Sequence, residues 1–305
     1  MAASTRAPCP VARCAAAATD TSTVVPTPRT DVSDFGLIEA IAADQVAARI
    51  TGPEIRVEQH LDPDVAWAVA PMADTFRNVV LDAHFTEATA DARIAEIVAR
   101  YREAGTSFVW WVSPFDAPAD LGARLAAAGL VLEGTAPAMA ADLLEVPLDE
   151  PPPPELDVVP VTDAGTLDEF LQVIAADWLE WTGGEHNEIQ LRTLAAWRAQ
   201  IPPKLPAEPV PFRWIGRVDG KVAATSRINI GAGVAGLYAI STLPAHRGHG
   251  YGRAMTIASL RAARQLGYRI GVLQASDLGY GVYKRLGFRD LFSYGVYVHP
   301  GTGGA

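Results

Sequence analysis

Apolar positions along the chain alternate between two periods. Asp64–Ala70 and Phe76–Phe85 read as strands, and Asp91–Ala104 places Ile94, Ile97, Val98 and Tyr101 on one helical face before Gly105 ends the helix. SFVWWVSP then predicts a buried strand, DLGARLAAAG a short helix, and LVLEGTAPAMAADL a further strand. A second series follows. VTDAGTLDEFLQVIAADWLEW predicts an amphipathic helix opened by a Thr/Asp cap. PFRWIGRVDGKVAATSRINIGAGVAGLYAIST reads as three strands joined at Asp219-Gly220 and at a Gly231/Gly233 turn. A glycine-rich loop, a helix ending at Gly267, the strand YRIGVLQAS, a short helix and a final pair of strands complete the pattern.

Both series share an outline of strand, strand, helix, strand, short helix and strand, which suggests an internal duplication. The fold class expected is α/β (α+β), with two domains that are each a mixed, twisted sheet flanked by helices. Residues 1–33 are rich in Ala, Thr, Ser and Pro and predict a disordered tail. The first domain is expected over 34–146, and Pro151 to Pro154 sit in a linker over 147–154. The second domain is expected over 155–299.

Composition narrows the function classes. The 305 residues are 49% hydrophobic and 20% charged, enough for two buried cores, and the net charge is −10. An acidic surface repels phosphate backbones, so neither nucleic acid nor an anionic membrane is an expected partner. Only Cys9 and Cys14 exist, both in the tail, which argues against a disulfide-built fold, a core thiol nucleophile or a four-ligand zinc site. No apolar run reaches the ~18 residues of a membrane span, and the N-terminus lacks the apolar centre of a secretory signal. A cytoplasmic location is expected.

The segment with most chemical content is Arg247-Gly248-His249-Gly250-Tyr251-Gly252, between an apolar strand and a helix. Glycines there let the backbone turn tightly, with amide N–H groups aimed at one point. The helix behind adds its unpaired donors and the positive end of its dipole, giving a cradle for a diphosphate. About thirty residues later, a strand ends in Gln274-Ala275-Ser276-Asp277, and Val282-Tyr283-Lys284-Arg285-Leu286-Gly287-Phe288 follows.

In these two motifs the sequence resembles the GCN5-related N-acetyltransferase (GNAT) family. That family's phosphate loop reads Arg/Gln-x-x-Gly-x-Gly/Ala, which Arg247, Gly250 and Gly252 fill, and Tyr283, Gly287 and Phe288 fill its later motif. The resemblance covers most of 155–299. It implies an acyl-CoA-dependent N-acetyltransferase, with acetyl-CoA as co-substrate, no metal, and a small-molecule amine as acceptor; a homodimer is left open as the assembly. Backbone groups of Ile240, Ser241 and Thr242 would meet the pantetheine arm. Amides of Arg247, Gly248, His249, Gly250, Tyr251, Gly252 and Arg253 would hold the diphosphate. Tyr283 would protonate the departing thiolate, the matched motif favouring that role over simple packing of its ring beside Phe288. Asp277 stands where many relatives have Asn.

For the base that deprotonates an ammonium, Glu180 is the candidate carried forward; Glu185 and His186 in the same AADWLEWTGGEHNE stretch are alternatives. Arg253 is expected to meet the coenzyme, whereas Arg261 and Arg264 read as solvated helix residues. His246 and His249 lack a spaced second ligand. TEATAD, at the corresponding place in the first domain, has neither glycine nor arginine, so that half is expected to be degenerate.

Two rival readings remain. One is a non-catalytic acyl-CoA-binding sensor or assembly protein that uses the same loop. The other, a dinucleotide-binding oxidoreductase, is disfavoured by the G-x-G-x-G spacing.

Overall fold

The computed structural model describes residues 26–51, 57–70, 76–181, 195, 198 and 212–299. The chain divides into two compact units. One is residues 33–138 joined by 290–305, and the other is residues 25–32 with 139–289.

In the first unit, helix α1 (Asp34–Val46) is followed by strands β1 (Glu58–Leu61), β2 (Ala66–Val69) and β3 (Val79–Leu81). Helix α2 (Ala90–Glu103), β4 (Phe108–Val112), α3 (Leu121–Ala127), β5 (Val131–Asp142) and the last strand, here β11 (Arg289–His299), complete it. The strands run in the order β1-β2-β3-β4-β11-β5. Pairing is antiparallel from β1 to β3, parallel between β3 and β4, and antiparallel between β4 and β11. Period-two alternation separates the faces of the sheet. Val65, Trp67 and Val69 pack with Ile94, Ile97 and Tyr101 of α2, while Ala66 and Ala68 pack with Val46 and Ile50.

The second unit repeats that succession. It contains β6 (Asp157–Pro160), α4 (Ala164–Trp181), β7 (Arg213–Val218), β8 (Lys221–Asn229) and β9 (Ala235–Thr242). After these come α5 (Tyr251–Gln265), β10 (Ile270–Gln274) and α6 (Asp277–Arg285). Together with the end of β5, the order is β5-β10-β9-β8-β7-β6. Pairing is antiparallel from β6 to β9 and parallel between β9 and β10. One sheet face holds Met255, Ile257 and Leu260 of α5 with Leu237, Leu273 and Phe288. The other holds Phe170, Val173 and Ile174 of α4 with Ile215 and Val222. Asp163 caps α4 by accepting from the Thr166 amide at 2.8 Å. The α/β class with mixed sheets flanked by helices is thus observed in each unit.

Four sequence expectations need correction. The unit boundary falls at 138/139, not at 147–154, because residues 139–154 pack with the second unit: Leu148 is buried in its core and its carbonyl accepts from Arg261 at 2.6 Å. The last strand belongs with the first unit, since Gly295–His299 pair with Val112–Phe108. It is also one strand of 11 residues instead of a pair. Residues 26–32 do not behave as a free tail; the Arg29 amide donates to the Gly233 carbonyl at 2.8 Å and its guanidinium to the Ala232 carbonyl at 3.0 Å. The remainder of the expected tail, 1–25, lies outside the described residues.

Candidate active site

Strands β9 and β10 are in register at only two positions, Gly271 with Ala235 and Val272 with Gly236. Beyond them the strands part, and the cause is local. The β8–β9 ladder shifts between Thr225 and Arg227, so β9 carries one extra residue at Ala239, which has φ +51°. The Thr225 hydroxyl pins this bulge by donating to the Ala239 carbonyl at 2.9 Å. A bulge bends and twists its strand, here drawing Ile240–Thr242 away from the β10 ladder. The result is a wedge that opens after the Gly236–Val272 pair, between the remainder of β9 on one side and Leu273–Gln274 on the other.

The loop after β9 lies at the head of that wedge. Pro244–His246 form a short helical turn, and Gly248 and Gly250 follow with φ +82° and +81°, values glycine adopts at no steric cost. Gly250 is the N-cap of α5. Among the described residues, none of the amides of 248–253 donates to another backbone group. These donors lie together with the positive end of the α5 dipole, the arrangement that binding an anion would require. His249 Nδ1–H donates to the Arg247 carbonyl at 2.8 Å, and the His249 ring stacks on Tyr251. The Tyr251 side chain is buried and its hydroxyl donates to Glu155 at 3.1 Å, so only its backbone N–H would serve that purpose.

Both arginines flanking the loop are held by carboxylates. Arg247 donates to the Thr242 carbonyl at 3.1 Å and to the two oxygens of Glu180 at 2.7 and 2.5 Å. Arg253 donates to Glu150 at 2.7 Å. Arg261 and Arg264, expected as solvated residues, reach the carbonyls of Leu148 and Leu143 instead.

Tyr283 lies on α6, which Ser276 caps by accepting from the Gly279 amide. The ring is buried with Phe288 in the core. Gly279 leaves room for it, since a Cβ there would lie 2.7 Å from Cε2 of Tyr283. Burial pushes the phenol up to about 12, so it keeps its proton at neutral pH. Asp277 is exposed in the first turn of the same helix.

The structure argues against Glu180 as the base. Arg247 holds its carboxylate below the usual range, and a carboxylate with both oxygens bound to a guanidinium is a poor proton acceptor. Glu185 and His186 lie outside the described residues. One turn before Glu180, however, sits Asp177, which sequence reasoning passed over. It is half-buried, accepts a hydrogen bond from the Ser241 hydroxyl, and is raised above the ordinary carboxylate range by that burial. The i, i+3 spacing of Asp177 and Glu180 was the available signal. Gln274 ends the opposite wall with its side-chain nitrogen buried and without a partner among the described residues.

Among the described residues, the corresponding place in the first unit is closed. Where its parallel pair β3–β4 ends, His84 bridges to Ala117, the Phe85 amide donates to the Ala117 carbonyl at 3.0 Å, and the Ala117 amide to Ala83 at 2.9 Å. Ahead of α2, the Thr86 amide donates to the Thr89 hydroxyl and the Thr89 amide to that of Thr86, each at 3.2 Å. Among the described residues, no group of three His, Cys, Asp or Glu side chains could hold a metal, and no helix is long and apolar enough to cross a membrane.

Residues 171–288 match the family model "Acetyltransferase (GNAT) family". No curated protein matches by sequence. Among solved structures, a GCN5-related N-acetyltransferase from Kribbella flavida superposes with a TM-score of 0.63 at 18% identity, over 87% of this chain and 95% of that one. A functionally unknown conserved protein from Staphylococcus epidermidis gives 0.60 at 12% identity, over 81% and 95%. A tandem GNAT protein from the clavulanic acid biosynthesis pathway gives 0.53 at 14% identity, over 92% and 91%.

Proposed function

From the match of residues 171–288 to the GNAT acetyltransferase family, we propose that this chain transfers an acetyl group from acetyl-CoA to the amine of a small molecule. The observation that carries the reading is the juxtaposition, within one unit, of an open strand wedge and a loop of unpaired amides at its head. The wedge suits the narrow pantetheine arm, whose amides would pair with the free backbone edge of Ile240–Thr242. The amides of 248–253 would hold the diphosphate, which Arg247 and Arg253 could also meet once their carboxylates yield.

Acyl transfer from a thioester to an amine needs a neutral amine, positioned carbonyl and an acid for the sulfur. Tyr283, kept protonated by burial, supplies the acid. With both substrates bound together, no covalent enzyme intermediate is needed, in keeping with cysteines confined to Cys9 and Cys14.

The test is thiol release from acetyl-CoA over a panel of amines, with mass spectrometry of the products. Acetylated amine and stoichiometric thiol are expected. Coenzyme binding by calorimetry with no turnover on any amine would replace this reading with a non-catalytic acyl-CoA sensor.

A further inference from the structure

Resting on the acetyltransferase reading, we infer that Asp177 is the general base, and that the acceptors are aliphatic amines that arrive as ammonium ions. Four observations converge on it. Asp177 is on α4, the helix covering the sheet face opposite α5. It takes the hydroxyl hydrogen bond of Ser241, which lies on β9 beyond the bulge, where the strand has left β10. Ser241 is buried, so this bond anchors the carboxylate to the wall of the wedge itself. Glu180, the neighbouring carboxylate on the same helix, is fully engaged by Arg247.

Chemistry selects the ligand class. A carboxylate beside a thioester does nothing for an arylamine, which is already neutral at pH 7. It matters for an alkylammonium, whose lone pair is blocked by a proton. A half-buried carboxylate with raised basicity both attracts that cation and accepts its proton. The position near the C-terminal end of α4, where the helix dipole is negative, acts in the same sense.

The step balances. R–NH3+ gives one proton to the Asp177 carboxylate, forming the acid and the free amine. The amine nitrogen then attacks the thioester carbonyl carbon. As the C–S bond breaks, the sulfur takes the Tyr283 proton, and the surplus proton on nitrogen restores Tyr283. The amide, the free thiol and protonated Asp177 remain, and Asp177 returns its proton to water.

Charged groups facing Asp177 are Arg247 from the loop, which opposes its protonation, and Glu180 from its own helix, which favours it. Activity on ammonium acceptors should therefore rise with pH as Asp177 loses its proton, then level off.

The experiment compares wild type and Asp177→Asn on two acceptors, a primary alkylamine and an aniline. Asn keeps an oxygen for the Ser241 hydroxyl, so the wall is preserved. A loss of ~100-fold in kcat/KM for the alkylamine, with the aniline changed less than about threefold and the acidic limb of the pH profile gone, is the expected result. Equal losses on both amines would mean that Asp177 only shapes the wall, and the inference would be overturned. Wild-type turnover of the aniline alone would overturn it too, leaving acetyl transfer intact. If wild type acetylates neither amine nor any other, the function itself is wrong and this role falls with it.

Discussion

The two units build the same strand succession and treat its parallel pair in opposite ways. In the second, β9 and β10 share two register positions and then part, because an extra residue at Ala239 bends β9. In the first, β3 and β4 also share two, but the chain beyond them is stitched by the His84–Ala117 bridge and the amides of Phe85 and Ala117. The helices that follow differ likewise. Gly248 and Gly250 leave amides free ahead of α5, whereas Thr86 and Thr89 satisfy each other ahead of α2. A shared topology thus does not make a site. What makes one is a bulge that opens a gap and a turn that leaves donors unspent.

Beside that stitched segment the first unit carries polar groups that pair with one another. Ser113 donates to Asp116 at 2.5 Å, the second Asp116 oxygen is buried without a partner among the described residues, and His84 pairs with Asp82 at 3.0 Å. Burial, reinforced by the Asp82 charge, pushes Asp116 up to about 7.

The largest test of this contrast is Tyr283→Phe. It should lower kcat by ~100-fold while leaving coenzyme binding within about twofold, as calorimetry would read. Unchanged turnover would reduce Tyr283 to a core residue.

Next comes Asp116→Asn, which acts on stability alone. The folded-state pKa of Asp116 is raised from its ordinary 3.8 to about 7. Its contribution is therefore full below pH 4 and is lost as pH climbs to 7, because the fold must then bury a charge. Relative to wild type, the variant should gain on the order of 3 kcal/mol between pH 4 and 8, read by urea unfolding across pH. A pH-independent difference would show that Asp116 is not a buried acid, and acetyl transfer should be untouched either way.

Gly250→Val sharpens the loop comparison. A β-branched residue at φ +81° strains the N-cap and displaces the amides, so coenzyme affinity should fall by roughly tenfold. Thr86→Gly in the first unit should leave that affinity alone. An equal loss from both would mean that the cradle has been assigned to the wrong place.

The smallest effect expected is from Glu180→Gln. Freed from its carboxylate, Arg247 can turn to a phosphate, and coenzyme binding should tighten by about threefold at low salt and less at high salt. Weakened binding would show that the Glu180–Arg247 pair organises the loop instead of competing with the ligand.

Much of this was legible in the chain. Glycines at 248 and 250 declare a left-handed turn because backbone sterics depend on adjacent atoms alone. Apolar periodicity likewise predicted α2 and α4, and Asp163 predicted the cap of α4. The strand expected over 76–85 shrank to Val79–Leu81, since regular pairing there needs a partner that only folding supplies. The same dependence misplaced the last strand, whose alternation does not name β4 as its neighbour.

Residue chemistry divides along that line. The sequence by itself determined that a glycine turn and a helix N-terminus follow an apolar strand and that a tyrosine stands one helix later. Tertiary structure alone decided which carboxylate is free. Asp177 and Glu180 are nearly indistinguishable as letters on one helix face, but burial raises the first, against the opposing pull of the Ser241 hydroxyl, while Arg247 lowers the second. Basicity depends on what a group is packed against, and packing brings together residues some sixty positions apart.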